Sequence, residues 1–460
     1  MTLMTKRETM QTNSASRTKR AGILGGAAIV AALLGAGCDV TNPGPVQDEF
    51  LGDEAAQPGL INGAQRILAN GFRQHAFDVA ILSREMFPGG QTGAWGTNVY
   101  IHGGEVLEAS GRGNFTNMHE ARFVTKTAIQ RFAEVGASDS RMHQAHFWAG
   151  ITFRILGEGW CNTVLPATDP LDDSPGEYFA GTTEPYFERA LANYTSALEF
   201  ATTDEQRHAA HAGRANIHLW MGNWQEALDD ARQVPDDFQV VLGFTGEESA
   251  LYNYISEAHS GTFRSASQRF TWFEGYYDET GDPRTPWGID PDFDVAVGSL
   301  TGFPGGRVPY APQQKYAERD DAMNLHTGWE MRLVEAEAIL QGAGGGDFNE
   351  AMALINHVRT RNVSDHDGQP LEPWEANSAE EAWTFLKRER GIELWLEGRR
   401  LFDERRWNEL GTPGELDLPE WEDPNHPGHA GVFVDHTRSF CFDIPQSERD
   451  RNPNVPVTGN

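Results

Sequence analysis

Apolar residues recur at three- and four-residue intervals through much of the chain, the spacing that gives an α-helix one buried face. From about Leu60 to Phe87, the positions Leu60, Ala64, Ile67 and Leu68 predict an amphipathic helix that Gly71 breaks and Pro88 stops. Two further helices are predicted over 117–135 and 140–157, the second with Phe147, Ile151 and Ile155 on one face. The glycine-rich stretch 88–113 and the Pro, Gly and Asp of 166–183 read as connecting segments.

A repeat then appears. Phe187-x-x-Ala190-Leu191, Trp224-x-x-Ala227-Leu228 and Phe348-x-x-Ala351-Met352 share an aromatic, two spacers, Ala and a larger apolar residue. Gly222-Asn223 and Gly346-Asp347 directly precede the last two aromatics. The pattern resembles the second helix of a tetratricopeptide hairpin, in which the turn glycine ends the first helix and the small Ala lets the two helices approach closely. Matching first helices are predicted over 205–221, with Ala209, Ala212, Ala215 and Leu219, and over 328–341, with Met331, Val334 and Ala338. Between the second and third repeats, roughly 235–325, no helical period persists while Trp272, Phe273, Tyr276, Tyr277, Trp287 and Tyr310 accumulate. A structureless loop of that length is unusual in a compact domain, so this segment is expected to fold as an insertion lobe.

The N-terminus adds an address. Lys6, Arg7, Arg17, Lys19 and Arg20 precede an apolar run from Ala21 to Leu34, followed by Gly35-Ala36-Gly37-Cys38. The run is about five residues short of the roughly 20 that cross a bilayer, and basic–apolar–small order marks a secretion signal. Small residues before Cys38 resemble a bacterial lipobox, which implies cleavage and lipidation at Cys38; Leu34 lies four residues before the cysteine, where the usual pattern has it three before. Residues 39–50 show no apolar period and read as a tether.

Charge narrows the partners. The full chain carries a net −30, and without residues 1–37 the figure is −34, so nucleic acid and anionic headgroups are excluded as ligands. Cys161 and Cys441 would then remain in an oxidising compartment; a disulfide is permitted there, but the reading favoured is two buried free thiols.

Candidate chemistry is sparse. Glu389, Glu393 and Glu397 recur every four residues and would line one helical stripe, which requires cationic partners; Arg390, Arg399, Arg400 and Arg405 can supply them beside a Trp395/Phe402 core face. A structural ion-pair network is favoured over a catalytic or metal row. His143-x-x-His146 and His208-x-x-His211 could each pair two imidazoles, but neither has the glutamate pattern of a zinc-protease helix, so they read as surface residues of helices. No nucleophile elbow, Walker loop or dinucleotide fingerprint is present, and no cofactor or metal is expected.

The segment Glu389-Arg390-Gly391-Ile392-Glu393-Leu394-x-x-Glu397-Gly398-Arg399-Arg400-x-Phe402-Asp403-x-Arg405-Arg406 resembles the SusD/RagB signature, with Arg399 where many members have His. Met331-Arg332-Leu333-Val334-Glu335-Ala336 and the ending Ile444-Pro445 with Arg451-Asn452-Pro453-Asn454 are similar to further family blocks, as are, more weakly, Asp282-Pro283-Arg284 and Lys315-Tyr316. The resemblance implies a mainly α, right-handed tetratricopeptide-like scaffold with a loop-rich insertion lobe. It further implies a lipid-anchored protein of the outer membrane, exposed at the surface, that captures an oligo- or polysaccharide, or a peptide, and delivers it to a SusC-like TonB-dependent barrel. The different-class alternatives are a secreted glycan hydrolase and a tetratricopeptide adaptor without a small ligand.

The division expected is a signal peptide over 1–37, anchor and tether over 38–50, an N-terminal helical region with ligand-facing loops over 51–234, the insertion over 235–325 and a C-terminal helical region over 326–460. Saccharide rings stack their C–H faces on aromatics while their hydroxyls seek polar side chains. Two loop regions meet that need: Trp95, Asn98 and Tyr100, and Trp272, Tyr276, Tyr277, Arg284 and Trp287. Trp95, flanked by Gly93 and Gly96, is the first choice.

Overall fold

The helices that the apolar spacing predicts form in the computed structural model, which describes residues 53–88, 112–166, 175–260, 266–293, 309–418 and 440–457. In chain order they are α1 Gln57–Leu82, α2 Phe115–Val135, α3 Asp139–Gly159, α4 Glu184–Glu199, α5 Asp204–Met221 and α6 Trp224–Ala231. Two short helices follow, α7 Tyr254–Ser260 and α8 Trp272–Thr280, then α9 Gly328–Leu340, α10 Phe348–Thr360, α11 Ala379–Glu393, α12 Arg400–Leu410 and α13 Gln446–Arg451. From α1 to α6 each helix packs on the next, and α6 then packs on α9, which continues the series into α10 and α11. The fold is mainly α. The described strands form two-stranded antiparallel ladders: β1 Phe87–Pro88 with β5 Ala266–Ser267, β2 Thr163–Leu165 with β3 Glu177–Phe179, and β4 Gln239–Leu242 with β6 Met323–Thr327. The last ladder pairs Gln239 with Thr327 and so returns the chain to α9 beside the point where it left α6.

The repeat has the packing that its residue sizes require. Ala190, Ala227 and Ala351 are fully buried where neighbouring helices meet. Gly222 ends α5 in a left-handed conformation, with the Asn223 N–H donating to the His218 carbonyl at 2.9 Å. Gly346 plays a different part: α9 stops at Leu340, Gly342 takes the left-handed conformation, and Asp347 caps α10 by accepting from the Asn349 and Glu350 N–H groups.

Gly71 does not break α1. A Cβ there would lie 2.8 Å from Met118 Cε, so the glycine is a close approach to α2 within an unbroken helix. The helix ends before Pro88 is reached, because Arg84 turns left-handed (φ 62) and the Glu85 and Met86 N–H groups fold back on the Ala80 carbonyl at 2.9 and 3.0 Å.

The histidine pairs hold helices together. His143 is buried with Nδ1 2.7 Å from the Ala197 carbonyl, which corrects its reading as a surface residue, and His146 Nδ1 lies 3.0 Å from Asn193 Oδ1; both bind α3 to α4. His211 pairs with Asp230 at 2.7 Å. Cys161 and Cys441, half-buried, form a disulfide, contrary to the free thiols favoured from sequence, and it fastens the segment at 440–457 to the end of α3.

The acidic stripe also differs from its sequence reading. The helix α11 ends at Glu393, and Leu396 (φ 61) and Gly398 (φ 68) reverse the chain into α12, so Glu397 is not on the helix that carries Glu389. The signature arginines serve other acids: Arg390 grips Asp403 with two bonds of 3.1 and 3.0 Å, Arg399 meets Glu330 at 2.8 Å, Arg400 meets Glu404 at 3.0 Å, and Arg406 joins Asp403 to Glu337. Burial would raise the Asp403 carboxyl, but Arg390 and Arg406 hold it below the usual range. Arg405 donates to the Gly157 and Glu158 carbonyls at 3.1 and 2.9 Å, capping the C-terminus of α3.

Candidate functional site

Helix α8 begins where the Thr271 hydroxyl accepts the Glu274 N–H and ends at Gly281 in a left-handed turn. Phe273 and Tyr276, three residues apart, point into the core; Trp272 stays half-buried. Its ring stacks on Tyr276 with centroids 4.8 Å apart and planes 14° from parallel.

Opposite α8 runs the connection from α10 to α11. Asn356 clamps Trp374 at both backbone groups, accepting its N–H at 2.8 Å and donating to its carbonyl at 2.9 Å. The Trp374 ring is held between Phe385, 5.2 Å away and 14° from parallel, and the guanidinium of Arg359, 3.6 Å from the ring centre. Its indole N–H donates to Glu389 at 3.2 Å. Arg388 lies 5.7 Å from Trp272 and 5.2 Å from Trp374, bridging the two walls.

These walls enclose an open cavity of about 1130 Å³, lined by Trp272, Tyr276, Trp374, Arg359 and Arg388 together with the acids Asp278, Glu279, Asp367 and Glu372. An aromatic floor with polar groups converging from two sides can stack a ring and bond its hydroxyls.

Of the residues expected from sequence, Trp272 and Tyr276 come together at this cavity. Tyr276 is largely core: it is 5% exposed, and its hydroxyl donates to Asp282 at 2.6 Å and receives Arg359 at 2.7 Å. Burial next to Asp282 drives the phenol well above its ordinary range.

Arg284 lies behind the wall. Its guanidinium donates to Asp282 at 3.0 and 2.7 Å, to Glu389 at 2.5 Å and to Glu393 at 2.9 Å. Tyr277 turns away to Asp365 and His366, and the Trp287 indole donates to the Glu274 carbonyl at 3.2 Å; neither lines the cavity. Trp95, Asn98 and Tyr100 lie outside the described residues, as does Cys38. Sequence reasoning missed Trp374, Arg359 and Arg388. A tryptophan in the polar, proline-punctuated stretch Pro370–Trp374 carries the same signal that singled out Trp272, and could have been found by applying that criterion outside the insertion.

Residues 310–456 match the sequence profile of the SusD family. That span holds the 389–406 signature, whose ion pairs are described above, and the Ile444-Pro445 ending. The matched part of the chain is similar to the SusD family. Solved SusD structures share its fold across nearly their whole length. A SusD superfamily protein from Bacteroides thetaiotaomicron is 17% identical with a TM-score of 0.64, covering 87% of this chain and 98% of that one. A SusD-like carbohydrate binding protein from Bacteroides fragilis is 13% identical with a TM-score of 0.61, covering 89% and 100%. A laminarin binding SusD-like protein is 15% identical with a TM-score of 0.53, covering 86% and 97%. No curated protein matches the chain. Among the described residues, no helix is long and apolar enough to cross a membrane.

Proposed function

We propose that this chain acts as a SusD-like protein and captures an oligo- or polysaccharide without cleaving it, at the cavity between α8 and the 364–374 connection. The observation that carries the reading is the half-buried Trp272 ring, backed by Tyr276 and facing a cavity whose lining also carries Trp374, two arginines and several carboxylates. A rigid aromatic backed by a second ring offers a sugar a flat apolar surface at little entropic cost. The solved relatives described as carbohydrate binding and laminarin binding support the ligand class. In this account lipidated Cys38 holds the protein at the outer membrane, and the bound saccharide passes to a SusC-like TonB-dependent barrel.

The test is incubation of the purified protein with neutral oligosaccharides, laminarin fragments among them, followed by binding and product analysis. Capture predicts retention of at least one saccharide, recovered at its original length. Shorter products formed by the protein alone would overturn it in favour of a hydrolase.

A further inference from the structure

The cavity contains two cations and a surplus of acids, and the two sets are not equally available. Arg388 is held by Asp417 through two bonds of 2.7 Å. Arg359 gives its N–H groups to the Tyr276 hydroxyl at 2.7 Å and the Glu372 carbonyl at 2.6 Å, and lies on Trp374 with Glu389 3.9 Å away. Both guanidiniums are thus already compensated. Asp278 and Glu279 rise from α8 on one wall, and Asp367 and Glu372 stand on the other. Among the described residues, no ion pair neutralises any of these four carboxylates.

We infer that this cavity selects neutral or basic saccharides and rejects those bearing uronate or sulfate groups, with Asp278, Glu279, Asp367 and Glu372 as the selecting residues. The inference rests on the capture site proposed above and adds its ligand's charge class. An ionised carboxylate accepts hydrogen bonds but cannot donate them, so it suits sugar hydroxyls and suits a sugar ammonium better still. An anionic group entering the same space meets like charge from both walls, with no free cation to offset it.

The experiment uses paired ligands on one backbone: maltohexaose, cellohexaose and laminarihexaose, each neutral and with its primary hydroxyls oxidised to carboxylates. At low salt, the oxidised partner of any hexaose that binds is expected to be weaker by about tenfold or more. That gap should narrow in high salt and in the isosteric variant Asp278→Asn/Glu279→Gln/Asp367→Asn/Glu372→Gln, while the neutral hexaose changes little with salt. An oxidised hexaose bound as tightly as its neutral form, or more tightly, overturns the inference and leaves the capture reading standing. A gap that persists unchanged in the variant overturns the assignment to these four residues. Failure of every hexaose, neutral and oxidised, removes the capture site and the inference with it.

Discussion

Five N–H donors on a planar fork make arginine hard to bury and hard to replace once buried. Arg284 sits among Asp282, Glu389 and Glu393, and the first two have no side-chain exposure. Burial would push the Asp282 carboxyl upward, but Arg284 holds it below the usual carboxylate range, whereas burial prevails at Glu389 and leaves that carboxyl raised. Arg284→Ala takes the bonded guanidinium from both acids, and breaking one side of a buried pair should destabilise the protein by about 3–5 kcal/mol in denaturant titration. An unchanged unfolding midpoint with lost saccharide binding would mean that Arg284 faces the ligand after all. The Asp282-Pro283-Arg284 motif was legible as a family landmark, yet its role was not. Sequence lists the charges but does not say which of them meet, and the partners of Glu389 and Glu393 come from residues about 30 to 110 positions away.

At the scale of elements, periodicity served well where one face of a helix is buried and poorly where contact comes from elsewhere. The α5/α6 and α9/α10 hairpins follow from the repeat of aromatic, Ala and turn glycine, while Gly71 was misread because its reason is the approach of Asn117 and Met118 on α2. Two buried imidazoles tie elements together in the same hidden way. His75 on α1 packs against Phe402 and Phe442, and His326 on β6 meets Arg154, Tyr194, Asn216 and Glu330. Burial, aided by Arg154, lowers each to about 4. An unfolded chain takes up protons on these rings below about pH 6.5 that the folded chain refuses, so the stability they contribute is present above that pH and lost as it falls toward 4. Each ring accounts for about 3 kcal/mol at the limit. The raised carboxyls of Glu389 and Glu397 work in the opposite direction, so the readout is a difference. Unfolding free energy should fall less steeply for His326→Gln than for the parent between pH 6.5 and 4; parallel curves would contradict the burial of a neutral ring.

For the whole molecule, the likeness to SusD proteins and the mainly α architecture were readable from the 389–406 signature and the repeat, because both are local patterns. The site was readable only in part. Trp272 and Trp374 lie about 100 residues apart, and the ladder of β4 on β6 with the packing of α6 on α9 is what lets the chain return so that α8 and the 364–374 connection share one cavity. No periodicity reports such a closure, and of the four expected aromatics among the described residues, Tyr277 and Trp287 do not line the cavity. The central claim is that a saccharide is held on the Trp272 face of that cavity. Isothermal titration of a bound oligosaccharide against the parent and Trp272→Ala tests it most directly. The account predicts binding weakened by roughly 1–3 kcal/mol, the scale for truncating an aromatic anchor, with the melting temperature nearly unchanged. Undiminished affinity in a folded Trp272→Ala protein would contradict it.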